Sequence, residues 1–308
     1  MSPPASAGPA GGGVDRPMLG IGFAVLSFGC FSAADAVVKW LSGGFTVFQS
    51  IFIGTWFAFV PVLAFALATE GPGGLRPRRP AMVVLRGALV TAAALSVLWS
   101  FTRLPMTDGY ALVFASPLIV TALAPVLLGE RVGWRRWAAV VVGFLGVMIM
   151  LRPGFAVLDI GHAAAFASAV LFALGLLVLR RIGPGESNGA LLVGLLLTTE
   201  VMVAPLMPFL WVTPRLGDVA LMALSGTLAG FAHIFLVLAF KAAPAPVVAP
   251  YQYSQMIWGI VFGLVLFGDR PDPIVLLGAA IVIACGLYIL RREMRLSRQG
   301  SPPAGDPA

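Results

Sequence analysis

The sequence predicts an all-α integral membrane protein: ten transmembrane helices forming two five-helix repeats of inverted topology. Three observations carry that prediction. Hydrophobic residues make up 59% of the 308-residue chain and charged residues only 11%, whereas about a quarter of a soluble domain is charged. The stretch FTRLPMTDGYALVFASPLIVTALAPVLLGER, Phe101–Arg131, is repeated without a gap by FKAAPAPVVAPYQYSQMIWGIVFGLVLFGDR, Phe240–Arg270, at an offset of 139. Basic residues gather in alternate loops.

Taken in order, residues 1–17 are Pro, Gly, Ala and Ser with scattered charge, a composition that builds no core and reads as a disordered cytoplasmic tail. The apolar run at 18–41 is too long for a signal-peptide core and is span 1. Apolar runs between Gly, Pro and Arg breaks place span 2 at 45–68, span 3 at 82–101, span 4 at 106–128 and span 5 at 134–151. The second set is span 6 at 161–181, span 7 at 189–210, span 8 at 217–240, span 9 at 245–267 and span 10 at 273–291. Each is close to the length that crosses a hydrocarbon core of about 30 Å. The repeats are expected at 18–152 and 160–292, with a cytoplasmic tail at 293–308.

Five spans per repeat, an odd number, force the second copy to enter the membrane from the opposite side. The first spans of the copies align too: Gly20 with Gly161, Ser27 with Ser168, Phe31 with Phe172 and Lys39 with Arg180; in spans 3 and 8, Gly87 matches Gly226. With the N-terminus cytoplasmic, the inner side holds Arg16, Arg76, Arg78, Arg79, Arg86, Arg131, Arg135, Arg136, Arg180, Arg181, Lys241, Arg291, Arg292, Arg295 and Arg298. The outer side holds Arg103, Arg152, Arg215 and Arg270, and Lys39 stays within span 1. That skew orients both termini inward, in a bacterial-type inner membrane.

The net charge of +7 sits at helix ends rather than on one face with interleaved aromatics, so no nucleic-acid partner is expected. Cys30 and Cys285 lie in separate apolar segments, and His162 and His233 have no ligand-like neighbours, so neither a disulfide framework nor a metal centre is expected. Gly20 and Gly22 begin a dinucleotide-like pattern without its third glycine; there is no Walker loop, serine elbow or HExxH. The chain reads as no enzyme, with no cofactor. Its energy is expected from a gradient or from the substrate itself.

Several motifs resemble the drug/metabolite transporter superfamily, and within it the EamA-type carriers. They are Ser116-Pro117-Leu118, Leu128-Gly129-Glu130-Arg131 and the Gly143/Gly146 pair, answered by Phe267-Gly268-Asp269-Arg270, Gly278 and Gly286. Asp269 stands where glutamate is usual, and Met256 replaces the helix proline of the first copy. The resemblance implies a carrier with a central cavity between its halves. It further implies amino acids or related small metabolites as cargo, with export as one direction.

Inverted repeats place a site near the midplane at their interface, and rocking of the halves gives alternating access. Spans 4 and 9 are the expected walls. Tyr110, Phe114, Pro117 and Thr121 fall on one helical face of span 4, and Tyr251, Gln255, Trp258 and Phe262 on one face of span 9. Phe114 corresponds to Tyr253, on a different face from Tyr251. Against a binding role stands lipid contact or plain packing; Gln252 and Gln255 favour the site, because an unsatisfied amide is costly in hydrocarbon. The substrate-binding candidates are Tyr110, Phe114, Tyr251, Gln252, Tyr253, Gln255 and Trp258.

Ionisable groups inside the membrane supply the coupling candidates Asp35, Lys39, Glu200 and His233. Asp35 and Lys39, spaced i, i+4, can pair, or Lys39 can snorkel outward. Glu200 and His233 can relay a proton, against a neutral histidine bonded to a carbonyl. Asp108 reads as a helix-terminal acid. Glu130 and Asp269 read as structural, capping the next helix or forming an ion pair. Gly161, Ala165, Ala169 and Ala173 form a small-residue packing stripe. Two alternatives from other classes are a membrane-embedded enzyme on a lipid-linked substrate and a non-transporting scaffold.

Overall fold

A computed structural model describes residues 17–130, 132–152, 159–183 and 185–299. Arg131, Arg16 and most of the expected N-terminal tail lie outside these residues, as do 300–308. The first repeat comprises α1 (Pro17–Leu41), α2 (Val47–Glu70), α3 (Pro80–Phe101), α4 (Met106–Val113), α5 (Ser116–Leu128) and α6 (Trp134–Leu151). The second comprises α7 (Ile160–Ile182), α8 (Asn188–Val203), α9 (Met207–Leu210), α10 (Leu216–Ala242), α11 (Ala245–Val248), α12 (Ser254–Phe262) and α13 (Pro273–Gln299).

The helix ends follow local chemistry. Thr46 and Ser187 cap α2 and α8 by accepting hydrogen bonds from Gln49 and Ala190 N–H groups. Asp159 caps α7, and its backbone N–H donates to His162 Nδ1. Gly129 and Gly268, equivalent across the repeats, end spans 4 and 9 in the same left-handed conformation, φ 70° and 69°. A side chain there would be strained.

Three expectations about helix continuity are corrected. Span 4 breaks at Phe114–Ala115, where Pro117 at the start of α5 has no N–H to continue the ladder. Span 7 breaks at a tight turn, Ala204–Leu206, set by Pro205. Span 9 is the most divided: α11, a 3₁₀ turn at Ala249–Tyr253, α12, and a π-helical turn at Gly263–Phe267. Among the described residues nine helical segments are long and apolar enough to cross a membrane, with 106–128 and 188–210 each counted as one. The tenth span is the divided segment 245–267. The apolar part of α13, Pro273–Arg292, matches span 10, and the helix itself continues to Gln299.

The packing repeats the internal symmetry. α1 lies on α10 and α7 on α3; α2 also lies on α10 and α8 on α3; α6 meets α13, and α4 meets α12. The equivalent glycines admit close approach at matching crossings, Gly87 against Thr198 and Gly226 against the backbone of Gly54. Ala165, Ala169 and Ala173 are fully buried, so the stripe on α7 is a packing face. Large apolar side chains such as Trp56, Val60, Val126 and Phe209 are exposed around the perimeter, as hydrocarbon contact requires.

Polar ties near the helix ends group the connections on two faces. Gln49 exchanges two hydrogen bonds with the Val212 backbone, Arg103 pairs with Asp159, and Arg152 pairs with Asp272 on one face. Glu70 accepts from the Asn188 and Gly189 N–H groups, and Glu186 from those of Arg78 and Arg79, on the other. Every span therefore crosses. Residues 130 and 269, equivalent in sequence, lie on opposite faces, which is what inverted repeats demand.

Candidate functional site at the seam between the repeats

The helix breaks in spans 4 and 9 fall at equivalent positions and bring equivalent side chains together. Phe114 packs edge-on against Tyr253 with ring centroids 5.1 Å apart. Thr121 donates its hydroxyl to the Pro117 carbonyl, satisfying an acceptor close to the break. Tyr253 lies against Gly286 of α13, which leaves room for its ring and hydroxyl. Both aromatics are buried, 3% and 9% exposed, so they form the floor of the seam rather than an open wall.

Toward one face, Tyr110 closes the space between α1 and α4. Its hydroxyl donates to Asp35 Oδ2 at 2.6 Å and lies 3.3 Å from Ser32 Oγ. Its ring is held edge-on by Phe101, 5.0 Å away, and lies against Gly259 of α12. Asp35 thus takes its partner from α4, and the expected pairing with Lys39 is corrected. This hydrogen bond ties α1 to α4.

Lys39 does not pair within α1. It reaches across the seam to Asp269 at 2.8 Å, donates to the Leu104 carbonyl at 3.2 Å, and sits 4.6 Å from the Phe267 ring centroid. Its repeat equivalent Arg180 does the same in mirror order: Arg180 Nη1 lies 3.7 Å from Glu130 Oε2. Each repeat therefore contributes a cation to one cross-repeat pair and a carboxylate to the other, and the pairs lie on opposite faces. They differ in closure. The Lys39–Asp269 side chains are 12% and 21% exposed, those of Arg180 and Glu130 42% and 41%. The first is a desolvated tie; the second is a loose surface contact.

The other candidates divide into two groups. Trp258 packs on Gly29 of α1 and stacks with Phe262, centroids 6.1 Å apart. Tyr251 joins the apolar cluster of Ala24, Ala239, Ala243 and Val248, while Gln252 and Gln255 are half-buried beside the break. His233 meets Phe31 edge-on at 4.9 Å, on the α1–α10 contact. Glu200 stands apart on α8, which packs against α2 and α3; it is 8% exposed and neither carboxylate oxygen has a hydrogen-bond partner. The structure shows no contact between Glu200 and His233.

A second polar cluster, lining a cavity of about 130 Å³, joins Asp108, Arg152, His162 and Asp272 on the Lys39 face. The Arg152 guanidinium and the Ile274 N–H hold the Asp272 carboxyl below the usual carboxylate range. Sequence reasoning missed the contacts of Ser32 and Gly259 with Tyr110, since nothing in a single helix pattern marks them. The reciprocal ion pairs were latent in it: Lys39 aligns with Arg180 and Asp269 with Glu130.

Residues 18–152 match the model of the EamA-like transporter family. A riboflavin transporter of Rhizobium johnstonii is 32% identical over 290 residues, covering 92% of this chain and 95% of that protein. A protein from Rickettsia prowazekii named as an S-adenosylmethionine uptake transporter is 29% identical over 276 residues, covering 90% and 94%. A solved crystal structure superposes with a TM-score of 0.62 at 18% identity, over 91% of this chain and 98% of that one, a likeness of fold.

Proposed function

The chain belongs to the EamA-like transporter family, and from that premise we propose that this membrane transporter works by alternating access across the Phe114–Tyr253 seam. The observation that carries the reading is the pair of reciprocal ion pairs. Inverted repeats exchange conformations when the carrier turns over, so the tie that is tight on one face loosens as its equivalent on the other tightens. In this conformation the Lys39–Asp269 face is closed and the Glu130–Arg180 face is the looser. The basic skew supports a cytoplasmic Glu130 face, with both termini on that side.

The cargo we infer is a metabolite that joins an amino-acid moiety to a heteroaromatic ring, the class of S-adenosylmethionine. The printed activity of the Rickettsia relative supports it. Asp35, half-buried beside the Tyr110 clamp, offers a carboxylate to a cationic group, and Trp258, Phe31 and His233 offer stacking faces. Pockets of this kind are mostly apolar with a few placed polar groups. Uptake is the inferred direction, replacing export. Glu200 is the inferred coupling acid, because its carboxylate is buried within a span and has no hydrogen-bond partner.

The test is counterflow in proteoliposomes with labelled S-adenosylmethionine, riboflavin and methionine, with and without a pH gradient. S-adenosylmethionine is expected to exchange fastest. Exchange of riboflavin alone overturns the cargo, and no exchange of any of the three by folded protein overturns the reading.

A further inference from the structure

We propose that the cleft between the Glu130-face ends of α6 and α13 binds one anionic phospholipid, whose phosphate stands where Asp272 supplies a carboxylate at the other end of the same helix pair. The two helices belong to different repeats and cross where Gly146 meets Gly278; a Cβ on Gly146 would lie 2.9 Å from the Gly278 carbonyl. Helices that touch at one point diverge on both sides of it. The two resulting wedges are closed differently.

On the Lys39 face Arg152, at the end of α6, pairs with Asp272, at the start of α13. The offset of 139 maps Arg152 onto Arg291 and Asp272 onto Gly133. Gly133 caps α6 just as Asp272 precedes α13, so the register is preserved. At the Glu130-face end the cation is therefore retained and its acid deleted. Arg135 adds a second positive group there; it is exposed and lies 5.4 Å from the Trp134 ring centroid. Among the described side chains no carboxylate pairs with Arg135 or Arg291.

The wedge itself is a cleft of about 430 Å³ walled by Ala138, Ala139, Val142, Ala284 and Cys285. Small apolar side chains leave a slot for a hydrocarbon chain. Trp134 and Tyr288 stand at its rim, where amphipathic rings mark the membrane interface. One turn beyond Tyr288 are Arg291 and Arg292. An acyl chain in the slot thus delivers a phosphate to Arg135 and Arg291, and basic pockets between membrane helices recognise anionic head groups in this way. The leaflet is cytoplasmic if the proposed orientation holds; the site itself does not depend on the orientation or on transport.

Native mass spectrometry of the detergent-purified full chain, given equal amounts of phosphatidylglycerol and phosphatidylcholine, tests the site. One phosphatidylglycerol is expected to be retained preferentially, by about fivefold for each contributing arginine. The double variant Arg135→Gln, Arg291→Gln is expected to lose the preference. Gly133→Asp is expected to lose it too, because it restores in the chain the acid that Asp272 supplies at the other end; Gly133 has open space for a side chain. Arg215→Gln, on the other face, should leave the preference intact. Equal retention of both lipids by the native chain overturns the proposal, as does a preference unchanged in both variants. Cross-linking of Ala138→Cys between two copies in membranes overturns it by making the cleft a protein interface. Counterflow in phosphatidylcholine vesicles, run alongside, separates these results from the transport reading.

Discussion

Phe114 and Tyr253 occupy the same position in the two repeats and touch each other, ring centroids 5.1 Å apart. A contact between equivalent residues lies on the axis that relates them. When the repeats exchange conformations it maps onto itself, whereas contacts off the axis are exchanged for their counterparts. Under the proposed alternating access, this pair is the expected pivot of the seam.

Cross-linking at the pivot is expected to be tolerated. With Cys30→Ser and Cys285→Ala as background, Phe114→Cys and Tyr253→Cys joined by a short bifunctional thiol reagent should retain at least half of the exchange of the uncross-linked variant. Lys39→Cys joined to Asp269→Cys should retain almost none, because that contact must open. The measurement is counterflow before and after reagent; arrest by both cross-links rejects the pivot.

Breaking the tight pair should cost far more than breaking the loose one. Asp269→Asn leaves Lys39 largely buried without its counter-charge, a loss of about 3–5 kcal/mol, whereas Glu130→Gln removes a surface contact of about 0–1 kcal/mol. Thermal unfolding in detergent reads both. The exchanged pair Lys39→Asp, Asp269→Lys should recover much of the difference, and no recovery would mean that Leu104 and Phe267, not charge, hold Lys39.

Tyr110→Phe removes one hydroxyl and leaves the ring that packs on Phe101 and Gly259 in place. Stability should fall by about 0.5–1.5 kcal/mol, the range for a typical intramolecular hydrogen bond. Cysteine-accessibility labelling of the Lys39 face should rise, because the clamp on Asp35 is gone. Unchanged labelling would make Tyr110 a packing residue only.

Glu200→Gln keeps the shape of a side chain whose oxygens have no partners, so folding should be unaffected within about 0.5 kcal/mol. Exchange of cargo at equal pH on both sides should persist, while accumulation driven by a pH gradient should disappear. Retained accumulation would remove Glu200 from coupling.

The Arg152–Asp272 tie sets an acid limit. The folded carboxyl titrates below its unfolded value of about 3.9. Its contribution is therefore present above that pH and lost as pH falls through the lower folded value. Melting temperature measured from pH 7 down to pH 2.5 should show a component, in the most acidic part of the range, that Asp272→Asn lacks.

Much of this was legible in order of residues. Ten apolar runs, an offset of 139 and the alternation of basic loops are local or periodic features, and hydrocarbon leaves helices little freedom to differ from them. The breaks at Phe114 and Tyr253 were less legible, since Pro117 marks one and no proline stands at the equivalent Met256. Tyr110 shows a sharper limit. Its helical face pointed to a binding wall, yet its partners Asp35, Ser32 and Gly259 come from two other helices.

By itself the sequence determined the membrane class, the duplication and its inversion, because burial in lipid and parity of crossing are counted along the chain. Only the tertiary structure decided that Lys39 answers Asp269 instead of Asp35, and that this tie is tight while Arg180–Glu130 is loose. Pairing across a seam depends on distance and desolvation between segments far apart in sequence, and neither quantity is written in the spacing of residues on one helix.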